Sequence, residues 1–311
     1  MSDINRYIHA ATRDNTRRSY RAAIEHFEVE WGGFLPATAD SIAKYLAAYA
    51  DKLAVSTLRQ RLAAIAQWHI DQGFPDPTKT PMVKKVLKGI QALHPVQPKQ
   101  AKPLALHHME TIDLYLQHKI SKARTDQCSS LLRQALRDRA IILLGFWRGF
   151  RSDELSRLRV EHVSIIRDEG ISLYLPHTKT EFAGVTYKTP ALKWLCPVNA
   201  CHEWLMEMGL TEGPLFPSIS RWGHLGNTCM HPNSFISVLR KESGDAGVID
   251  WDRLSGHSLR RGFANWASSS GWDIKTIIEY VGWKDLRSAL RYVDAKDHFE
   301  EFNQTLLSNR I

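Results

Sequence analysis

Long apolar runs are missing from this 311-residue chain, stretches such as Ala140–Leu144 and Tyr45–Ala50 being among the longest, far short of the roughly 20 residues a helix needs to cross a bilayer. The opening MSDINRYIHA has no apolar h-region, so neither a membrane span nor a secretory signal is expected. Cysteine is scarce. Cys128, Cys196, Cys201 and Cys229 are the whole complement, too few for a disulfide framework in a chain this long and expected as free thiols in a reducing compartment. The sequence shows no Gly-rich Walker loop, and no cluster of carboxylates has the spacing expected of a two-metal nuclease. Acids are absent from Pro77 to Met109, a stretch that holds Lys79, Lys84, Lys85, Lys88, Lys99 and Lys102. There is no internal repeat or low-complexity segment.

What is present describes a folded, basic protein: 43% hydrophobic residues and 41 Lys+Arg against 33 Asp+Glu, net +8. At roughly 100–200 residues per domain the length suggests two. The charge is uneven, because residues 1–103 carry 15 basic and 9 acidic side chains, whereas 104–311 carry 26 and 24. A basic lobe is either a solvated face or the footprint of a polyanion. A membrane surface would want a strongly amphipathic basic helix with bulky anchors, which Pro81–Leu93 offers weakly.

Apolar spacing predicts helices in the first hundred residues. One carries Tyr20, Ile24 and Phe27 after a cap at Asn15 or Thr16. Others cover Ala37–Asp51, then Ser56–Gln72 with Leu58, Leu62, Ile65 and Ile70 on one face, and about Pro81–Leu93. HPVQPKQAKP, residues 94–103, has three prolines and no periodicity and reads as a linker. The domains are therefore expected at 1–93 and 104–311. Beyond the linker a long helix is expected from about Thr125 to Trp147, with a short one opening near Ser152. Strands Ile171–Pro176 and Gly184–Thr189 should flank the polar turn HTKTEF. Helices follow at about 197–208, 231–243, 257–269, 273–281, 285–292 and 295–307. The second domain is thus mainly α with a small antiparallel sheet.

Several polar residues interrupt these patterns. His257 and Arg260 in GHSLRRGFANW stand at i and i+3, on one helical face; a capping His beside an exposed Arg explains them too. Arg151 and Glu154 in GFRSDEL form a second such pair, or a simple helix cap. Lys179, between two strands, could reach a ligand over the sheet edge or be a solvated hairpin lysine. Trp283 precedes Tyr292 by nine residues, and ordinary burial would account for both. A zinc module from Cys196, Cys201, His202, Cys229 and His231 is a weaker alternative, because C-x4-C-H spacing is poor for a structural site. Taken in order, two arginines, a histidine, a lysine and a late tyrosine supply phosphoryl transfer on nucleic acid. A phenolic oxygen attacks phosphorus, guanidinium and imidazole donors hold the charge of the non-bridging oxygens, and an acid protonates the leaving alkoxide. Tyrosine with an ordinary pKa of about 10 needs a cationic pocket and a base to react at neutral pH.

The ordered set Arg151, Lys179, His257-Ser-Leu-Arg260, Trp283, Tyr292 resembles the signature of the tyrosine recombinase (phage integrase) family, and within it the Cre-like branch, which carries tryptophan nine residues before the nucleophile. The likeness runs along nearly the whole chain, with LAVSTLRQRL, HTKT, SGHSLRRG and VGW in order. It implies a two-domain C-shaped clamp of a helical core-binding domain and an α-rich catalytic domain. Tyr292 would be the nucleophile, forming a 3′-phosphotyrosyl bond. Arg151 and Arg260 would clamp the scissile phosphate, His257 and Trp283 position its oxygens, Lys179 act as the acid, and Glu154 orient Arg151. Tyr280 has the wrong distance from Trp283 for the nucleophile.

The implied partner is double-stranded DNA with inverted-repeat sites, bound by a homotetramer that is monomeric when free, with strand exchange through a Holliday junction and no metal or other cofactor. A terminal helix of about 295–308, striped by Phe299, Phe302, Leu306 and Leu307, suits exchange between protomers or packing on its own domain. The first lobe would hold the duplex. Its groove helix, Ser56–Gln72, offers Ser56, Arg59, Gln60 and Arg61 for base or phosphate contact, and Lys84, Lys85 and Lys88 would grip the backbone. Arg261, about 100° round the helix from Arg260, is expected on a phosphate. No extra arm-binding segment precedes the first lobe, which favours a simple Cre-like or Xer-like system. A cytoplasmic, prokaryotic protein, nucleoid-associated or encoded by a mobile element, is expected.

Overall fold

The computed structural model describes residues 3, 6–7, 11–95, 100–176 and 184–293. The whole HTKTEF turn with Lys179, and the terminal helix expected at about 295–308, lie outside the described residues. The chain divides into two compact units, Met1–Lys99 and Gln100–Ile311.

The first unit is helical: α1 Asp14–Glu25 running into a π-helical turn at His26–Glu30, α2 Ala39–Ala48, α3 Val55–Asp71 and α4 Pro81–Leu93. The cap expected at Asn15 or Thr16 is corrected. The helix begins earlier, with Arg13 at the N-cap and Asp14 in the first turn, where a carboxylate meets the positive end of the helix dipole. The Thr38 hydroxyl accepts from the Ser41 N–H and starts α2. Leu58, Leu62 and Ile65 of α3 are buried against Phe27, Ile42, Tyr45 and Leu46, each fully buried side chain contributing about 1.5–3 kcal/mol.

Ile70, expected on that face, is 53% exposed, and His69 takes its place in the core. One step of four from Ile65 lands on 69, so helical geometry selects the histidine. Two backbone partners make its burial tolerable. The Ala37 N–H donates to Nε2 at 2.9 Å, and Nδ1 faces the Ile65 carbonyl at 2.7 Å, a pair satisfied when Nδ1 carries the proton.

The second unit opens with α5 Leu106–Thr125 and α6 Ser129–Arg148. One helix was expected here from about Thr125. The chain instead turns at 126–128, with Gln127 in the left-handed region at φ 50°. α6 is buried along nearly its whole second half, from Ala140 to Arg148, and forms the axis of this unit's core. After α7, Ser152–Ser156, come β1 Val163–Ile166, β2 Gly170–Leu175 and β3 Val185–Pro190, an antiparallel sheet in that order with Leu173 opposite Val163 and Tyr187. β1 lies beyond the two strands expected. Next are α8 Pro197–Met208, a second antiparallel pair β4 Pro217–Ile219 and β5 Leu225–Cys229, then α9 Pro232–Asp245, α10 Ser258–Ser269, α11 Ile274–Val281 and α12 Leu286–Leu290. All four cysteines are free. Among the described residues no helix is long and apolar enough to cross a membrane.

Candidate active site

The site grows from the end of α6. Gly149 stops that helix in the left-handed conformation, φ 62°, and a Cβ there would sit 3.2 Å from Val281 Cγ1, so glycine suits both the turn and the close approach. Two residues on, Arg151 caps α7. Its backbone N–H donates to Glu154 Oε2 at 2.8 Å, and its Nη1 donates to Oε1 at 2.6 Å. The buried carboxylate thus fixes both the backbone and the half-buried side chain of Arg151.

α10 supplies the second arginine. Arg260 is 1% exposed; Nη1 donates to the Gly149 carbonyl at 2.6 Å and Nη2 to the Val281 carbonyl at 3.3 Å. Glu154 Oε2 lies 3.9 Å from Nη1, so one carboxylate serves two guanidiniums. Burial, and then the charge of Arg151, push the Arg260 pKa down to about 10, opposed by Glu154, Tyr292 and Tyr187. The group is still charged at neutral pH. Two cations around one acid leave a pocket with positive charge to spare, the electrostatics of an oxyanion site.

The remaining residues arrive on α11 and α12. The Asp273 carboxylate caps α11 through the Thr276 N–H, and Gly282 ends it at φ 71°. Trp283 follows, 6% exposed, with the Arg260 guanidinium carbon 5.0 Å from its ring centroid. Trp283 Nε1 is a buried donor with no hydrogen-bond partner among the described residues, a costly state unless something brings an acceptor. The Asp285 side chain accepts from the Ser288 N–H to start α12, after which Tyr292 folds back. Its ring stacks on Trp283 at 5.1 Å and 25°, and its hydroxyl meets Nδ1 of the exposed His257 at 2.9 Å. A phenol at hydrogen-bond distance from an imidazole, with the Arg260 guanidinium carbon 5.8 Å from its ring centroid, can pass its proton while its oxygen attacks an anion held by that cation.

Arg151, Glu154, His257, Arg260, Trp283 and Tyr292 therefore converge from four separate segments. Tyr280 lies elsewhere, stacked on Phe263 at 5.1 Å. The carbonyls of Gly149 and Val281 that aim Arg260 had no signal in the sequence beyond the glycines at 149 and 282. Arg261 is a correction: it is buried, 9% exposed, and donates to the Ala101 carbonyl at 3.0 Å. The offset of one residue turns it toward the segment entering this unit, where the Leu104 N–H also bonds the Ser258 carbonyl.

In the first unit Ser56 and Arg59 are exposed and Gln60 and Arg61 half-buried on α3. Arg59 donates to Gln91 Oε1 at 2.6 Å, Gln60 to the Ser19 hydroxyl at 2.7 Å, and Arg61 to the Tyr45 hydroxyl at 2.9 Å. Lys84, Lys85 and Lys88 are exposed on α4, whose other side buries Val83 and Ile90. Two of the five residues of the zinc alternative are engaged otherwise. Cys196 Sγ accepts from the Leu192 and Asn199 N–H groups, and His231 Nδ1 from the Asn233 N–H at the start of α9. Among the described residues no three His, Cys, Asp or Glu side chains gather as a metal site.

A helical fold with a small antiparallel sheet and a tyrosine seated among histidine, tryptophan and paired arginines is that of a tyrosine recombinase. The chain belongs to the Phage integrase family, whose sequence pattern matches residues 118–298. Over 311 residues it is 28% identical to an integrase/recombinase XerD homolog of Selenomonas ruminantium, covering 95% of this chain and 86% of that one. It is 24% identical over 278 residues to recombinase Cre of Escherichia phage P1, covering 84% and 77%. In fold it is similar to a lambda integrase whose structure is a tetramer bound to a Holliday junction, with TM-score 0.56, 17% identity, and 94% and 76% of the chains covered.

Proposed function

We propose that the protein is a site-specific DNA recombinase that cuts and rejoins double-stranded DNA through a 3′-phosphotyrosyl link. The observation that carries this reading is the Tyr292 hydroxyl 2.9 Å from His257 Nδ1, with Arg260 alongside and with Trp283 Nε1, which has no partner among the described residues. In the proposed step the Tyr292 oxygen attacks the scissile phosphorus, a Tyr292–phosphorus bond forms, and the bond from phosphorus to the 5′-oxygen breaks. The phenol proton passes to His257, and the leaving 5′-oxygen takes a proton from Lys179. Arg151 and Arg260 hold the non-bridging oxygens in the transition state, Trp283 donates its indole N–H to one of them, and Glu154 keeps Arg151 aimed. One preorganised donor of this kind is worth roughly 3–4 kcal/mol of barrier.

Because the phosphoester energy is kept in the protein–DNA bond, rejoining requires only attack by a 5′-hydroxyl, and attack by the hydroxyl of a partner duplex exchanges strands. Two duplexes cut on both strands require four active sites. We therefore assign a tetramer on paired inverted-repeat sites with a Holliday-junction intermediate, a reading supported by the lambda integrase assembly. The unit Met1–Lys99, with the acid-free lysine stretch, is assigned to holding the duplex.

A nicked suicide duplex carrying the recognition site tests the assignment. Wild-type protein is expected to form a covalent complex in EDTA, and Tyr292→Phe to form none. A complex that survives the substitution would sink the assignment, and relaxation of any supercoiled plasmid without a site would point instead to a topoisomerase-like activity.

A further inference from the structure

Arg148, the last residue of α6, is a charge at the end of an apolar stretch, Leu143 to Trp147 being apolar or glycine, and it is 6% exposed. Its guanidinium carbon lies 4.0 Å from the centroid of the Tyr280 ring and 4.8 Å from that of Tyr187. The neighbouring carboxylate, Glu154, is engaged by Arg151 and Arg260, and Arg148 Nε has no hydrogen-bond partner among the described residues. Burial pushes its pKa below the ordinary arginine value, opposed by Tyr280, Tyr187 and Glu154. A charge kept in such a place at the cost of desolvation is held by aromatic faces.

The two rings belong to segments that build the site. Tyr187, on β3, packs edge-on against Phe150 at 5.0 Å, next to Arg151, and its ring is 3.6 Å from where a Cβ on Gly282 would stand. Tyr280, on α11, lies three residues before Trp283, and its ring stacks on Phe263, three residues after Arg260. An apolar plug would fill the same space while leaving the rings free to slide. A guanidinium is attracted only when seated over the ring faces, so it fixes where both rings stand.

We propose that Arg148 is a positioning residue. By holding the Tyr187 and Tyr280 rings on one guanidinium it fixes α11, and with it Trp283 and the Tyr292 that stacks on Trp283, against the Arg151 turn. The proposal rests on Tyr292 being the nucleophile.

The test compares single-turnover cleavage of a suicide duplex with affinity for a cleavage-blocked duplex, using full-length protein. Arg148→Met is expected to slow cleavage at least tenfold with affinity within twofold of wild type. Arg148→Lys, still a cation that can sit over the rings, should recover at least half of that loss on a logarithmic scale. Tyr280→Leu should reproduce Arg148→Met, and these two further variants carry the comparison if Arg148→Met does not fold. Replacing the scissile phosphate by a neutral methylphosphonate should leave the ratio of wild-type to Arg148→Met rates unchanged. A ratio that collapses toward one would overturn the proposal, because Arg148 would then act as a charge on the phosphate. Wild-type cleavage by Arg148→Met, or equal losses of rate and affinity, would also overturn it. Tyr292→Phe on the same duplexes separates the two readings: a persisting covalent complex defeats the nucleophile assignment, whereas its absence together with unimpaired Arg148→Met defeats this proposal alone.

Discussion

The two units hold their candidate functional residues in opposite ways. In the second unit Glu154 and Arg260 are 2% and 1% exposed, and Arg260 is pinned by carbonyls from two distant turns. In the first unit Ser56, Arg59, Lys84, Lys85 and Lys88 stand exposed on two helices, and the bonds of Arg59 and Gln60 run to other surface side chains. Chemistry on phosphorus needs donors fixed to within a fraction of an ångström, so the fold spends buried polar groups to place them. The groove contact proposed for the first unit would tolerate loose side chains, since a duplex itself supplies partners and counterion release drives binding.

Four variants sharpen or break that contrast. Tyr292→Phe should have the largest effect, eliminating covalent complex on a suicide duplex while leaving its binding intact; loss of binding as well would mean the two units are not separable in function. Glu154→Gln removes the carboxylate from beside two guanidiniums. A stability loss of about 3 kcal/mol, read from chemical unfolding, should accompany slower cleavage, and cleavage-blocked DNA should restore part of that loss by supplying the missing negative charge. An unchanged unfolding curve would show that the placement does not depend on the buried acid.

Exchanging Lys84, Lys85 and Lys88 together for Gln should act on affinity alone, by roughly fivefold per lost phosphate contact near physiological salt, with the slope of log affinity against log salt reduced by about 0.9 for each. The cleavage rate of saturated complexes should not move, and a fall in that rate would blur the division. The smallest effect is expected of Gln60→Ala, a relaxed preference at one adenine of about 1 kcal/mol. It is read by selecting bound sites from a random pool, and an unchanged preference would remove Gln60 from base reading.

Six of the residues that converge were marked beforehand by the family resemblance of their ordered set, Arg151, Glu154, His257, Arg260, Trp283 and Tyr292, whereas each spacing taken singly fitted a helix cap or ordinary burial equally well. What brings them together was not legible. The carbonyls that aim Arg260 and the segment that captures Arg261 belong to distant stretches of chain, and side-chain periodicity carries no record of them. α5 went unread because His107, His108, Glu110 and Thr111 dilute the spacing of Met109, Ile112, Leu116 and Ile120, the residues that line its buried face. Ile70 is the more apolar of two neighbours, but position 69 is the one that lies a step of four from Ile65, and two backbone partners let a histidine occupy the core there.

The hydroxyl of Tyr292 and the ring of His257 that meet across 2.9 Å belong to the same polypeptide. If cleavage uses this pairing, each copy carries a complete cutting tool, and two differently damaged copies cannot mend each other. A cell holding Tyr292→Phe alongside Arg260→Lys would stay recombination-negative, whereas an enzyme that lent its tyrosine to a neighbour would regain activity from the same mixture.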